Sequence, residues 1–221
     1  MLGAMRAASP LRATLYGLAM LAIVVTVWQW RSSWSAPETV DLRGANVLLV
    51  TIDTLRADRL ETYGNHSRLT PTLDALATSG VRFTRAWSHA PMTLPSHASI
   101  LTGLLPPHHG ARNNGAFRLG PEPATLAERM QAAGYRTGAF IGAFVLDARF
   151  GLNRGFDEYD DRYDAPPANA SFHFVERSAD RVLRAATDWI ARSGTGEHRP
   201  WFAWTHLFDP HAPYQARGSF G

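Results

Sequence analysis

The chain has 221 residues, 45% of them hydrophobic, enough for one domain with a real core and too apolar for a disordered polymer. The formal net charge is only +3, all 22 basic residues are Arg, and no dense basic run occurs, so no nucleic-acid partner is expected. There is no Cys, which excludes disulfides, thiolate metal sites and a cysteine nucleophile.

Arg6 and Arg12 precede an uncharged apolar run from Ala13 to Trp30, just long enough for a spanning helix. Trp28, Trp30 and Trp34 would form an interfacial anchor. Ser33 and Ser35 give the other reading, a signal peptide that is cleaved. Either way residues 1–12 stay cytoplasmic, 13–30 are the transmembrane anchor or signal segment, 31–44 a polar linker, and 45–221 a domain on the periplasmic or extracellular side. That domain is held at the cell membrane, or secreted after cleavage.

Asn46 to Ile52, NVLLVTI, reads as a strand buried on both faces, as in a parallel sheet covered by helices. It ends at Asp53, where open α/β sheets bind ligands; the plainer role is to cap the following turn. Thr70 and Pro71 open a helix over Thr72 to Ser79, stopped by Gly80. Val81 to Ser88 alternates as a half-buried strand. Met92 to Gly103, MTLPSHASILTG, reads as a turn feeding a helix, with Thr93 at or just before the N-cap and Pro95 in the first turn. A hydroxyl there faces unpaired N–H groups and the positive end of the helix dipole, a place that suits an oxyanion or a metal-held alkoxide.

A loop then carries His108, His109, Arg112, Asn113 and Asn114. Ala124 to Ala133 is an amphipathic helix stopped by Gly134, Arg136 to Phe144 is strand-like, and Arg154 to Asp157 is a turn. Phe172 to Arg192 is a long amphipathic helix, and Trp201 to Leu207 a further buried strand ending in Phe208-Asp209-Pro210-His211.

Six segments, in this order, resemble the N-terminal part of the sulfatase family of the alkaline-phosphatase-like superfamily: NVLLVTIDTLRADRLETYG, TPTLDALATSGVRFTRAWS, TLPSHASILTGLLPPHHG, AGYRTGAF, GLNRGFDEYD and HLFDPHAPY. The resemblance implies an α/β sandwich with a central, mostly parallel sheet, incomplete at the C-terminus and preceded by the N-terminal transmembrane helix. It further implies a metal at the strand ends with a nucleophile bound to it. Asp53 matches the first of the family's two adjacent Asp ligands; Thr54 stands at the second. The nucleophile motif, Cys or Ser-x-Pro-Ser-Arg, reads Thr93-Leu94-Pro95-Ser96-His97. A Thr cannot become formylglycine, because its β-carbon carries a methyl group, and in this it looks more like the phosphoethanolamine and glycerolphosphate transferases. The Lys and His of the family's Gly-Lys-Trp-His segment are replaced by Ala143 and Val145, and the later Asp-His-Gly ligand segment does not occur. The chain is therefore expected to be the N-terminal part of a longer protein, weak or inactive alone.

The resemblance makes Thr93 and Asp53 metal ligands, with Thr93 as nucleophile. The cation would be Ca²⁺ by family, with Mn²⁺ or Zn²⁺ as alternatives. His211 matches a His that contacts the transferred group or assists the leaving group. His97, where the family has Arg, either supports the Thr93 turn, shuttles a proton or simply packs. Asn114 is placed as an oxyanion donor or an ordinary turn residue, and Arg56 as a neutraliser of an anionic ester substrate or one half of a surface ion pair. His109 matches a His found after the nucleophile helix and either orders its loop or takes part in the chemistry. His66, His89, His173, His198 and His206 match no motif. The expected function is metal-dependent hydrolysis of sulfate or phosphate esters; the alternatives are a phosphoethanolamine- or glycerolphosphate-type transferase and a non-catalytic module binding anionic glycans or lipids.

Overall fold

Four short strands, three of them apolar, fix the architecture. In the computed structural model, which describes residues 10–32, 41–67, 69–163, 176–193, 199–212 and 214, they form one parallel sheet. In chain order the elements are α1 (Pro10–Ser32), β1 (Val47–Ile52), α2 (Pro71–Ser79), α3 (Thr93–Thr102), α4 (Pro106–His109), α5 (Leu126–Ala132), β2 (Arg136–Ile141), β3 (Glu158–Asp160), α6 (Ala179–Ser193) and β4 (Trp201–Leu207). The spatial order is β1-β4-β2-β3, so the last strand is inserted between the first two. Val47 pairs with Phe202 through Ile52 with Leu207, and Arg136 with Trp201 through Ile141 with His206.

Strand alternation splits the core into two layers. Ala139, Ile141, Phe202 and Trp204 face Leu94, Ala98 and Leu101 of α3 and Ala127 of α5. Phe140 and Ala203 face the other way, onto Val182, Ala186 and Trp189 of α6. Helices therefore cover both faces. Thr125 and Glu128 close a capping box that starts α5, each satisfying the other's backbone N–H.

Several boundaries differ from the sequence reading. β1 is not buried on both faces: Leu48 and Val50 are 51% and 45% exposed, because α6 packs over β2 and β4 instead. Residues 81–88 form no strand; Val81, Phe83 and Trp87 stand exposed and no neighbouring strand pairs them among the described residues. The 104–114 loop contains the single turn α4. α1 forms over the expected apolar run, but no helix among the described residues is long and apolar enough to cross a membrane. Residues 33–40, His173, His198 and the Phe172 start of the long helix lie outside the described residues.

A buried ion pair ties β3 to the segment before α6. Asp160 is held by Arg177 at 3.0 Å, both side chains buried, and by Arg162 at 2.7 Å. Burial alone would raise the Asp160 pKa, but the two guanidiniums bring it down to about 2. The folded value lies below the unfolded one of about 3.9, so the stabilisation is present above about pH 4 and is lost as pH falls toward 2. The wild type is expected to exceed Asp160→Asn by about 2 kcal/mol near neutral pH. Urea unfolding at a series of pH values should show that gap closing on acidification.

Candidate functional site

The site is built where β1 and β4 end. Asp53 N–H donates to the Leu207 carbonyl at 2.9 Å, extending the β1–β4 ladder by one rung and holding the Asp53 carboxylate at the strand ends. Thr54 follows at φ +53°, a left-handed conformation that strains a β-branched residue. This strain sits directly beside the carboxylate, where functional sites concentrate it.

α3 brings the hydroxyl. Its N-cap is Met92, so Thr93 is the first helical residue and does not cap; its Oγ1 donates instead to Asp53 Oδ2 at 3.0 Å. The bond is charge-assisted, a neutral hydroxyl donating to a carboxylate. One turn on, His97 Nδ1 lies 2.8 Å from the Thr93 carbonyl. A carbonyl only accepts, so Nδ1 carries the proton and Nε2 is a bare lone pair, buried and without a partner among the described residues. Burial, then the neighbouring His206, lowers the His97 pKa to about 3. A buried, neutral ring bonded to the Thr93 carbonyl is placed to support the Thr93 turn.

His206 is the residue that motif reading missed. It is fully buried, its Nε2 is 3.6 Å from Asp53 Oδ2, and its ring packs edge-on to His97 with centroids 4.8 Å apart. Neither ring nitrogen has a hydrogen-bond partner within normal distance among the described residues. The signal was available in WFAWTHL: alternation puts Phe202, Trp204 and His206 on one face, the face α3 covers. Burial acts to raise the Asp53 pKa, but His206, the Thr93 hydroxyl and then His97 outweigh it and leave the carboxyl below its usual value.

Thr93 borders two hollows. One, of about 360 Å³, is lined by Asp53, Thr54, Thr93, Ser96 and His97. The other, small one is lined by Thr93, Asn114, Ala143, Val145, Phe208 and His211. Asn114 Oδ1 accepts the Leu94 N–H at 2.9 Å, pinning the start of α3 and leaving its amide N–H groups as donors. His211 stacks on Phe208 at 4.4 Å, and its Nδ1 lies 2.5 Å from the Ala212 carbonyl. Gly142 lets the backbones pack closely beside this hollow: a Cβ there would stand 2.9 Å from the His206 carbonyl oxygen and 3.3 Å from the Phe208 nitrogen. Arg56 lines neither hollow; it is 69% exposed and paired with Asp58 at 2.6 Å. His109 is buried, bonded to Ser99 at 3.0 Å and to the Ala111 N–H, and orders its loop.

Asp53 and Thr93 offer two oxygens at one point, the hard-donor chemistry a divalent cation takes, and the unpartnered His206 Nε2 adds a nitrogen beside them. Among the described residues no group of three or more His, Asp or Glu gathers as a complete metal site, so these residues fit as part of one.

The sulfatase family profile matches residues 45–220. The steryl-sulfatase of Mus musculus is 34% identical over 143 residues, 56% of this chain and 23% of its own. The N-acetylgalactosamine-6-sulfatase of Sus scrofa is 29% identical over 219 residues, 79% of this chain and 41% of its own. The chain thus spans well under half the length of these relatives. Among solved structures, the phosphonate monoester hydrolase of Agrobacterium radiobacter superposes with a TM-score of 0.59 at 26% identity, over 76% of this chain and 42% of that one. A protein solved with its substrate D-glucosamine-2-N,6-O-disulfate gives 0.63 at 22% identity, over 78% and 36%, and shows the shared fold. A profile match over most of the chain, on a fold that brings Asp53 and Thr93 together at the strand ends, makes this protein a member of the sulfatase family.

Proposed function

We propose that this chain carries the nucleophile half of a divalent-metal-dependent ester hydrolase, with Thr93 attacking phosphorus directly. The observation that carries the reading is the 3.0 Å bond from Thr93 Oγ1 to Asp53 Oδ2 at the N-terminus of α3. A cation held by Asp53 and Thr93 supplies charge neutralisation and a lowered hydroxyl pKa when bound. Asp53 Oδ2 orients the Thr93 hydroxyl, whose proton passes to solvent water, and Thr93 Oγ1 forms the new bond to phosphorus as the bond to the leaving oxygen breaks. His211, with Nδ1 used on Ala212, offers Nε2 to protonate that oxygen. Asn114 amide N–H groups and the positive end of α3 take the charge that develops on the other oxygens. Water, or an acceptor alcohol in a transferase, then releases the Thr93 ester.

Phosphorus is favoured over sulfur because Thr93 cannot be oxidised to an aldehyde and because Ala143 and Val145 stand where the family grips sulfate. The similarity to a phosphonate monoester hydrolase supports the same side. Export belongs to this reading: α1 presents Leu15, Leu18, Leu21 and Val24 exposed, which suits a signal segment. Rapid acid quench of the whole protein turning over an aryl phosphate diester should leave on the Thr93 peptide a phosphoryl group that still carries the second ester substituent, read by mass spectrometry. A phosphoryl group on another residue, or turnover with none on Thr93, rejects Thr93 as nucleophile; no turnover at all favours a non-catalytic binding module.

A further inference from the structure

One buried polar side chain stands behind the site and has no role in the steps above. His206 is fully buried, and neither of its ring nitrogens has a hydrogen-bond partner within normal distance among the described residues. Leaving a buried imidazole unsatisfied costs free energy, so its place asks for a reason. The backbone sets that place. β4 runs between β1 and β2, with His206 paired to Thr51 on one side and to Ile141 on the other. The Asp53 N–H donates to the carbonyl of the next residue, Leu207, at 2.9 Å. His97 packs edge-on to the ring at 4.8 Å, and the Trp204 and Phe208 rings lie at 6.5 and 6.4 Å. The imidazole is thereby clamped with Nε2 3.6 Å from Asp53 Oδ2.

A nitrogen at that place can coordinate a cation or donate a proton to the carboxylate. Position favours donation. Asp53 and Thr93 line the hollow of about 360 Å³ beside the nucleophile, whereas His206 lines neither hollow and lies in the core behind the carboxylate. Electrostatics agree. A bare Nε2 lone pair facing an anionic oxygen is repelled, while an Nε2–H points its positive end at that oxygen. The separation exceeds an ordinary hydrogen bond by about 0.4 Å, and such bonds commonly tighten once substrate is bound.

We infer that His206 is a positioning residue: its Nε2–H holds Asp53 Oδ2 from the core side, so that the carboxylate meets the Thr93 hydroxyl in one fixed orientation. Thr93 addresses the same oxygen at 3.0 Å, so the two donors fix Oδ2 and leave Oδ1 for a cation. The contact with Asp53 stands by itself; its use in turnover rests on the reading given above.

The first test is the imidazole nitrogen NMR spectrum of the whole protein labelled in histidine, without added metal, the His206 signals being assigned by their loss in His206→Gln. A proton on Nε2 is expected; a proton on Nδ1 with Nε2 bare overturns the inference. The second test separates donation from packing and from coordination. His206→Leu fills similar space without a donor, and His206→Gln restores an N–H donor without a ring nitrogen. His206→Leu should lower kcat on an aryl phosphate diester about tenfold to a hundredfold, with KM within about threefold, and weaken Mn²⁺ binding by calorimetry about tenfold. His206→Gln should recover all but about threefold of each loss. No loss in His206→Leu assigns the ring to packing, and equal losses in both variants assign it to coordination; either overturns the inference. If a thermal melt shows His206→Leu unfolded, a folded His206→Gln that loses more than about tenfold overturns it alone. The spectrum reads the contact whether or not ester is turned over, so failure of the reading above shows separately, as no turnover with the Nε2 proton in place.

Discussion

Asp53→Ala is expected to lower kcat/KM at least about a thousandfold, some 4 kcal/mol of lost transition-state stabilisation. The side chain does two things at once in this geometry. It accepts the Thr93 hydroxyl at 3.0 Å, and it is the carboxylate at the strand ends on which a cation would sit. Asp53→Asn keeps the shape but holds a cation poorly, so it should lose nearly as much. Thr93→Ala should cost a similar factor. The informative variant is Asp53→Ala/Thr93→Ala: residues that act as a unit are not additive, so the double should cost little more than either single. Losses that multiply would mean the two act independently, against the bond that joins them. Thermal melts of each variant separate this from unfolding, since removing Asp53 also leaves His206 without its neighbour.

Gly155→Ala should be the most destabilising small substitution in the domain, by at least about 3 kcal/mol. Gly155 has φ +81°, and a Cβ there would stand 2.1 Å from the Glu128 nitrogen and 2.5 Å from the Ala127 carbonyl carbon. Those are backbone atoms of the first turn of α5, so no side chain can swing away. Relief would require α5 to shift, breaking the Thr125–Glu128 capping box and the Thr125 Oγ1 bond to the Arg154 carbonyl at 2.9 Å. Gly115→Ala separates the causes: φ is +91° with nothing within 4 Å, so it carries only conformational strain, about 1 kcal/mol. Urea unfolding of both variants measures the difference, and equal losses would show that the Gly155 contact is relaxed at no cost.

What the sequence made legible follows from where its signals are local. β4 and the end of β1 were readable because continuous apolar runs bounded by polar residues have few other fates. Asp53 and Thr93 were readable for a related reason, each standing at the end or start of such an element. Residues 81–88 show the limit: alternation says which face a strand would bury, but a strand also needs a neighbour, and none pairs with this segment among the described residues. β3, with two acids in three residues, has no strand signal and forms because β2 offers an edge. His206 was hidden for the opposite reason. No short motif contains it, and its role appears only when β4 is set beside β1 and the register brings it to the Asp53 end. His97 was visible, but its neutral, buried state depends on Trp204 and His206, which are remote in sequence.

The most direct measurement is turnover by the whole protein of matched aryl phosphate diester, phosphate monoester and sulfate ester substrates, with and without Mn²⁺, Zn²⁺ or Ca²⁺, beside Thr93→Ala. Metal-dependent turnover that prefers a phosphorus ester and falls at least about a thousandfold in Thr93→Ala is the predicted result. Turnover that survives Thr93→Ala, or a clear preference for the sulfate ester, would contradict direct attack by Thr93 on phosphorus.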